Sequence, residues 1–119
     1  MKILLLDDDV QVLELLEMVL QEDGYQIQAS LNSNEALALL QENFFDLIIS
    51  DIHMPCPNGI DFGLQLRKFN SSIPIIYFSG EIDGLITYGP KIKKIGNATF
   101  VPDKNIKVLL NHVRDYFVR

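Results

Sequence analysis

Ile3-Leu4-Leu5-Leu6-Asp7-Asp8-Asp9 sets an unbroken apolar run directly against three carboxylates. A run without polar alternation marks a strand buried on both faces, as in parallel sheets. Leu47–Ile49 and Ile75–Phe78 read the same way, and Tyr25–Ala29 and Thr99–Val101 add two further short runs. Stretches of helical period lie between them. Val12, Leu15, Leu16, Val19 and Leu20 are spaced as one face of a helix. Asp9 is its expected N-cap and Gly24 its expected stop. A second helix is expected from Asn32 or Ser33, with Glu35 at capping-box spacing from Asn32 and with Ala36, Leu37, Leu40 and Phe44 on its stripe. A third spans roughly Asn58 to Phe69, with Phe62, Leu66 and Phe69 facing inward. The last carries Ile106, Leu109, Leu110, Val113 and Phe117. From Glu81 to Gly96, Gly84, Gly89 and Pro90 predict a short, broken or irregular helix, because proline removes a helix hydrogen bond.

Strand and helix thus alternate along the chain, which implies a parallel sheet with helices on both faces, a doubly wound three-layer α/β fold. In such sheets the functional crevice lies at the carboxyl ends of the strands. The first run ends in Asp7-Asp8-Asp9, the third at Ser50-Asp51 and the fourth at Ser79-Gly80. In the flavodoxin-like strand order these three ends are neighbours and their groups converge in one pocket.

Bulk properties fit that picture and narrow the function. The chain has 119 residues, 48% hydrophobic and 22% charged, which suits one globular domain rather than two or a disordered tail. A formal net charge of −6 argues against direct nucleic-acid binding, whose affinity rests on Lys and Arg. Cys56 is the single cysteine, so no intrachain disulfide can form, and it reads as an ordinary loop residue. No apolar run has the length of a membrane span. The apolar start resembles a signal peptide until the aspartates cut it off. The expected location is the cytoplasm.

Several carboxylates at close quarters repel. Unit charges about 4 Å apart interact by roughly 4 kcal/mol at an effective dielectric near 20. A strand-end Asp is often a helix cap, which accounts for Asp9 but leaves Asp7, Asp8 and Asp51 to explain. A hard divalent cation relieves the repulsion, and oxygen ligands suit Mg²⁺. A carboxylate beside such a cation can act as nucleophile and form an acyl phosphate.

These segments together resemble the receiver domain of two-component response regulators. The likeness runs through Ile3–Asp9, through Leu47-Ile48-Ile49-Ser50-Asp51-Ile52-His53-Met54-Pro55 with Asn58-Gly59, and through Ile73–Gly80. The resemblance implies a flavodoxin-like five-stranded parallel sheet of order 2-1-3-4-5 and a single receiver domain over 1–119 with no output domain. It implies phosphorylation on Asp51 by a histidine kinase or phosphotransfer protein. It implies Mg²⁺, with Mn²⁺ able to substitute, held directly by Asp8, Asp51 and the backbone carbonyl of His53, with Asp7 acting mainly through a metal-bound water. Ser79 would bind the phosphoryl group, and Gly59 would let the backbone turn into the third helix. Such a domain is a phospho-acceptor, not an enzyme with turnover on a free substrate. A downstream partner or second copy would dock on the face of the fourth helix, fifth strand and fifth helix.

The chain departs from the family pattern in two places. The family carries Lys at the end of the fifth strand before Pro, and here Val101, Pro102 or Asp103 takes that position according to register. Lys104 is the candidate to replace it, and Phe100 the candidate for the family's aromatic switch residue. The second departure is the interrupted fourth helix with its run Lys91, Lys93 and Lys94, a solvated face or a dock for an acidic partner. Together they leave open a degenerate receiver that binds partners without phosphorylation. A third possibility is an aspartyl-phosphate hydrolase, whose two-residue Asp spacing Asp7 and Asp9 satisfy, but the chain has no room for a cap domain.

Overall fold

The unbroken apolar runs become the central strands of one sheet. The structure, a computed structural model, describes residues 1–55, 57–80 and 84–118, so Cys56 and the start of the Glu81–Gly96 segment lie outside the described residues. The elements are β1 (Lys2–Leu6), α1 (Val10–Glu22), β2 (Gln26–Ser30), α2 (Ser33–Glu42), β3 (Leu47–Ser50), α3 (Gly59–Leu66), β4 (Ile75–Phe78), α4 (Gly84–Ile95), β5 (Ala98–Val101), a 3₁₀ turn (Pro102–Lys104) and α5 (Ile106–Val118). All pairings are parallel, in the order β2-β1-β3-β4-β5. This is the flavodoxin-like α/β fold expected from the sequence.

Two cores lie on opposite faces of the sheet. Leu4, Leu6, Ile48 and Tyr77 face α2, α3 and α4 through Leu40, Ile60, Phe62, Ile92 and Ile95. Ile3, Leu5, Ile49 and Phe78 face α1 and α5 through Leu13, Leu16, Leu20, Leu109 and Val113. Each fully buried aliphatic or aromatic side chain contributes about 1.5–3 kcal/mol. Successive residues of one strand therefore feed different cores, which is why β1, β3 and β4 are continuously apolar.

The caps follow the sequence. Asp9 Oδ1 accepts from the N–H groups of Gln11 and Val12, Asn32 Oδ1 from Glu35 N–H, and Asn58 Oδ1 from Asp61 N–H. Gly24, at φ +90°, ends α1, with its own N–H bonded to the Gln21 carbonyl and Tyr25 N–H to that of Leu20.

The structure corrects several helix faces. Leu13 points into the core while Leu15, expected there, is exposed. The sheet lies one residue further round the helix than the apolar count suggests, and α1 carries more apolar residues than one face can bury. Phe44 and Phe69 lie beyond the ends of α2 and α3 and are exposed. Phe45 takes the core position next to Phe44. The largest correction is α4, a continuous helix from Gly84 to Ile95 that passes through Pro90. Ile86, whose carbonyl loses its partner four residues on, is exposed, so water can satisfy that oxygen. The inner face of α4, Ile92 and Ile95, is anchored in the core. Arg67, at the end of α3, donates to the carbonyls of Ile95 and Gly96 and so satisfies the end of α4.

Candidate metal and phosphoacceptor site

Strand order makes the site. β1, β3 and β4 are adjacent, and Leu6 pairs with Ser50 and Ser50 with Tyr77. The residues that follow them therefore emerge side by side at the carboxyl edge of the sheet. Asp51 N–H bonds the Leu6 carbonyl at 2.8 Å, which ties the end of β3 to the end of β1. Asp7 and Asp51 are buried, Ser79 is fully buried and Asp8 is exposed.

Asp7, Asp8 and Asp51 each offer a carboxylate oxygen, and the three oxygens lie within 4.8 Å of one another. Asp9 is not among them, because its carboxylate caps α1. The run of three aspartates is thus divided between site and cap. The donor set is all oxygen, anionic and open on the Asp8 side. Mg²⁺ takes oxygen ligands from one or two carboxylates and keeps several waters, which matches this donor chemistry. The residues fit a hard divalent cation.

The two buried carboxylates are held by backbone. Asp7 Oδ1 accepts from Asp9 N–H at 2.9 Å. Asp51 Oδ1 accepts from Ile52 N–H at 2.8 Å and His53 N–H at 3.3 Å. Their second oxygens face a cation: Lys104 Nζ stands 3.0 Å from Asp7 Oδ2 and 3.9 Å from Asp51 Oδ2. The same ammonium lies 5.9 Å from the centre of the Phe78 ring. Lys104 belongs to the turn that follows β5.

Burial pushes the Asp51 carboxyl above its ordinary pKa, and the charge of Asp7 adds to the rise; Lys104 and the two N–H donors oppose it. Between the unfolded and the raised folded pKa, the folded chain binds more proton at Asp51 than the unfolded chain does. This part of the stability is complete below the unfolded pKa of about 3.9 and is lost as pH rises through the folded value. In thermal melts without metal, Asp51→Asn should therefore gain on the wild type as pH rises from about 4 toward neutrality. A constant or shrinking difference contradicts the assignment.

The surrounding elements place the remaining candidates. Ser79 follows β4, with its N–H on the Val101 carbonyl and its carbonyl accepting from Lys104 N–H. Phe100 is buried, faces the α4 side of the sheet and pairs with Tyr77. His53 is exposed, and its ring meets Tyr88 of α4 edge-on, centroids 5.8 Å apart. Gly59 acts by close approach rather than by a turn. A Cβ there would overlap the Asp51 carbonyl oxygen, and its φ is ordinary. Sequence reading missed Tyr77, whose hydroxyl donates to the Gly59 carbonyl at 2.9 Å and so pins the start of α3 beneath the site loop. The tyrosine inside an otherwise aliphatic buried run was the available signal, since a buried hydroxyl needs a partner.

Residues 3–112 match one family, the response regulator receiver domain. The chain is similar to the transcriptional regulatory protein CpxR homolog of Haemophilus influenzae, with 37% identity over 75 residues. Those residues make up 63% of this chain and 32% of that protein, so the chain spans a minor part of the curated relative. Among solved structures it is similar to the receiver domain of the Francisella response regulator 1452, with a TM-score of 0.88 and 28% identity over 99% of this chain and 97% of that one. It is also similar to the response regulator protein TrrA of Thermotoga maritima in complex with Mg²⁺–BeF, with a TM-score of 0.83 and 29% identity over 97% of each chain. Among the described residues no helix is long and apolar enough to cross a membrane.

Proposed function

The chain belongs to the response regulator receiver domain family, and from that membership we propose that it takes a phosphoryl group on Asp51, assisted by Mg²⁺, and signals through protein contacts. The observation that carries the reading is the meeting of three carboxylate oxygens within 4.8 Å and one ammonium 3.0 Å from Asp7. The similar TrrA structure holds Mg²⁺–BeF, which supports the same ligand class here.

The donor is a phosphohistidine on a histidine kinase or phosphotransfer protein. Asp51 Oδ1 is occupied by two N–H donors, so Oδ2 is the nucleophile. It forms the new O–P bond as the P–N bond of the donor breaks, and the electron pair stays with the imidazole. Asp7, Asp8, Asp51 and the His53 carbonyl would hold Mg²⁺ or Mn²⁺, which would supply positive charge against the phosphoryl oxygens. The Ser79 hydroxyl takes one phosphoryl oxygen. Lys104 gives the acyl phosphate a charge-assisted contact worth about 1.5–3 kcal/mol. Phe100 responds by packing, having no hydroxyl. The output face is α4, β5 and α5, where Lys91, Lys93 and Lys94 are exposed and suit an acidic partner.

The test is incubation with a small-molecule phosphodonor, followed by intact mass. A gain of one phosphoryl group with Mg²⁺, and none with a chelator, is the expected result. No gain under conditions that label another receiver domain overturns the reading. Metal binding has its own readout in thermal melting. At a metal concentration of about 100 times Kd the folded state gains roughly 2.7 kcal/mol, which raises Tm by on the order of 10 °C. Asp8→Ala should lose most of that rise.

A further inference from the structure

The turn that carries Lys104 is built at a conformational cost. β5 ends at Val101, and α5 begins at Ile106 behind the Asn105 cap, whose side chain accepts from Val108 N–H. Between them Asp103 sits at φ 60°, ψ 21° and Lys104 at φ 42°. Both are left-handed, a region that non-glycine residues visit rarely and singly. Here two occur in succession. Asn105 then returns to extended backbone at φ −79°. The turn is fixed to the site by Lys104 N–H, which bonds the Ser79 carbonyl at 2.9 Å. Its side chain reaches Asp7 at 3.0 Å.

We propose that this left-handed turn tethers Lys104 as an internal counter-ion of the acidic site, so that metal binding is a competition with the Lys104 ammonium for Asp7, and that Asp103 is the residue that positions it. The proposal rests on the Mg²⁺ reading given above. Asp7 Oδ1 is committed to Asp9 N–H, so Oδ2 is the oxygen open to a cation, and Lys104 already holds it. The ammonium and a divalent cation, or a water bound to one, cannot both face that oxygen at short range without repulsion. The ammonium has somewhere to go, because Asp51 Oδ2 is 3.9 Å away. The backbone bond to Ser79 lets the side chain move from Asp7 toward Asp51 while the turn stays in place. The ammonium thereby offsets part of the negative charge of the metal-free site, and the site's affinity for Mg²⁺ is held down.

The experiment measures Mg²⁺ affinity by titration calorimetry and metal-free Tm by melting, on the wild type and three variants. Lys104→Met should bind Mg²⁺ about tenfold more tightly, as expected for removing one positive charge near the metal, and should melt lower without metal. Asp103→Val keeps the lysine but cannot hold a left-handed backbone, so it should shift both readouts in the same direction. Asp103→Gly removes the same carboxylate yet accepts that backbone, and should match the wild type in both. Unchanged or weaker Mg²⁺ binding by Lys104→Met overturns the competition. Asp103→Val indistinguishable from Asp103→Gly overturns the positioning role. Absence of binding by the wild type at millimolar Mg²⁺ defeats the metal reading itself. In that case the metal-free melts still decide the counter-ion, which an unchanged Tm in Lys104→Met refutes.

Discussion

Asp51→Asn is expected to lose phosphoryl uptake completely and, without metal, to melt higher than the wild type. The two effects have one cause. The Asn side chain has the shape of Asp, and its carbonyl oxygen can keep the N–H groups of Ile52 and His53. The neutral amide nitrogen that replaces Oδ2 is no nucleophile for phosphorus. It also removes one of three negative charges in a cluster whose Asp7 and Asp51 are buried, and unit charges about 4 Å apart repel by roughly 4 kcal/mol before Lys104 and solvent screen them. A loss of function with a gain of stability distinguishes a site residue from a scaffold residue, whose removal lowers both. Intact mass after incubation with a phosphodonor reads the first effect, and melting in a chelator reads the second. A variant that still gains one phosphoryl group places the acceptor elsewhere. One that loses labelling and also melts well below the wild type makes Asp51 a structural carboxylate. Asp8→Asn should show a smaller stability gain, because Asp8 is exposed and water already screens it.

The carboxylates were legible in the sequence for a reason that does not extend to their cationic partner. Asp7, Asp8 and Asp51 follow apolar runs, and in a parallel sheet the ends of such runs share one edge whatever the loops do. Strand identity alone therefore brings them together. Asp9 was legible as a cap because capping is local. Lys104 was not legible to the same degree, since counting along the chain left its position open by up to three residues. Its reach depends on two left-handed residues and a bond to Ser79, a tertiary decision that no propensity announces. The helix faces failed in a related way. Where a helix has more apolar residues than one face can bury, as in α1 with Leu13 and Leu15, the sheet chooses between them. Pro90 misled because its cost falls on one exposed turn, while Ile92 and Ile95 hold the rest of α4 to the core. The degenerate-receiver alternative drew on that helix and on the absent lysine. A continuous α4 and an ammonium 3.0 Å from Asp7 weaken those grounds, and phosphoryl uptake at Asp51 is the measurement that decides between the two readings.

Gly59→Ala is the substitution expected to damage the scaffold most for its size. A Cβ at this position would overlap the Asp51 carbonyl oxygen, and would lie 2.8 Å from Ile52 Cα and 2.9 Å from the Asp51 carbonyl carbon. All three are backbone atoms and cannot rotate away. The start of α3 must then move off the end of β3. That movement strains the Gly59 N–H bond to the Ile52 carbonyl at 2.9 Å and the Tyr77 hydroxyl bond to the Gly59 carbonyl at 2.9 Å. Tyr77 is fully buried, so this hydroxyl has no bulk water to turn to. Overpacking of about 1–3 kcal/mol and a weakened buried hydrogen bond of about 1 kcal/mol together predict a loss of about 2–4 kcal/mol. At roughly 4–8 °C per kcal/mol, Tm should fall by about 10 °C or more. Because the clash falls on the peptide of Asp51 itself, phosphoryl uptake should drop with stability even well below the new Tm. Gly89→Ala is the matched control. A Cβ there meets nothing within 4 Å, and in the interior of α4 alanine is favoured by about 0.5–1 kcal/mol. If the two variants melt together, the contact between α3 and the acceptor peptide yields to a methyl group and is not what holds Asp51 in place.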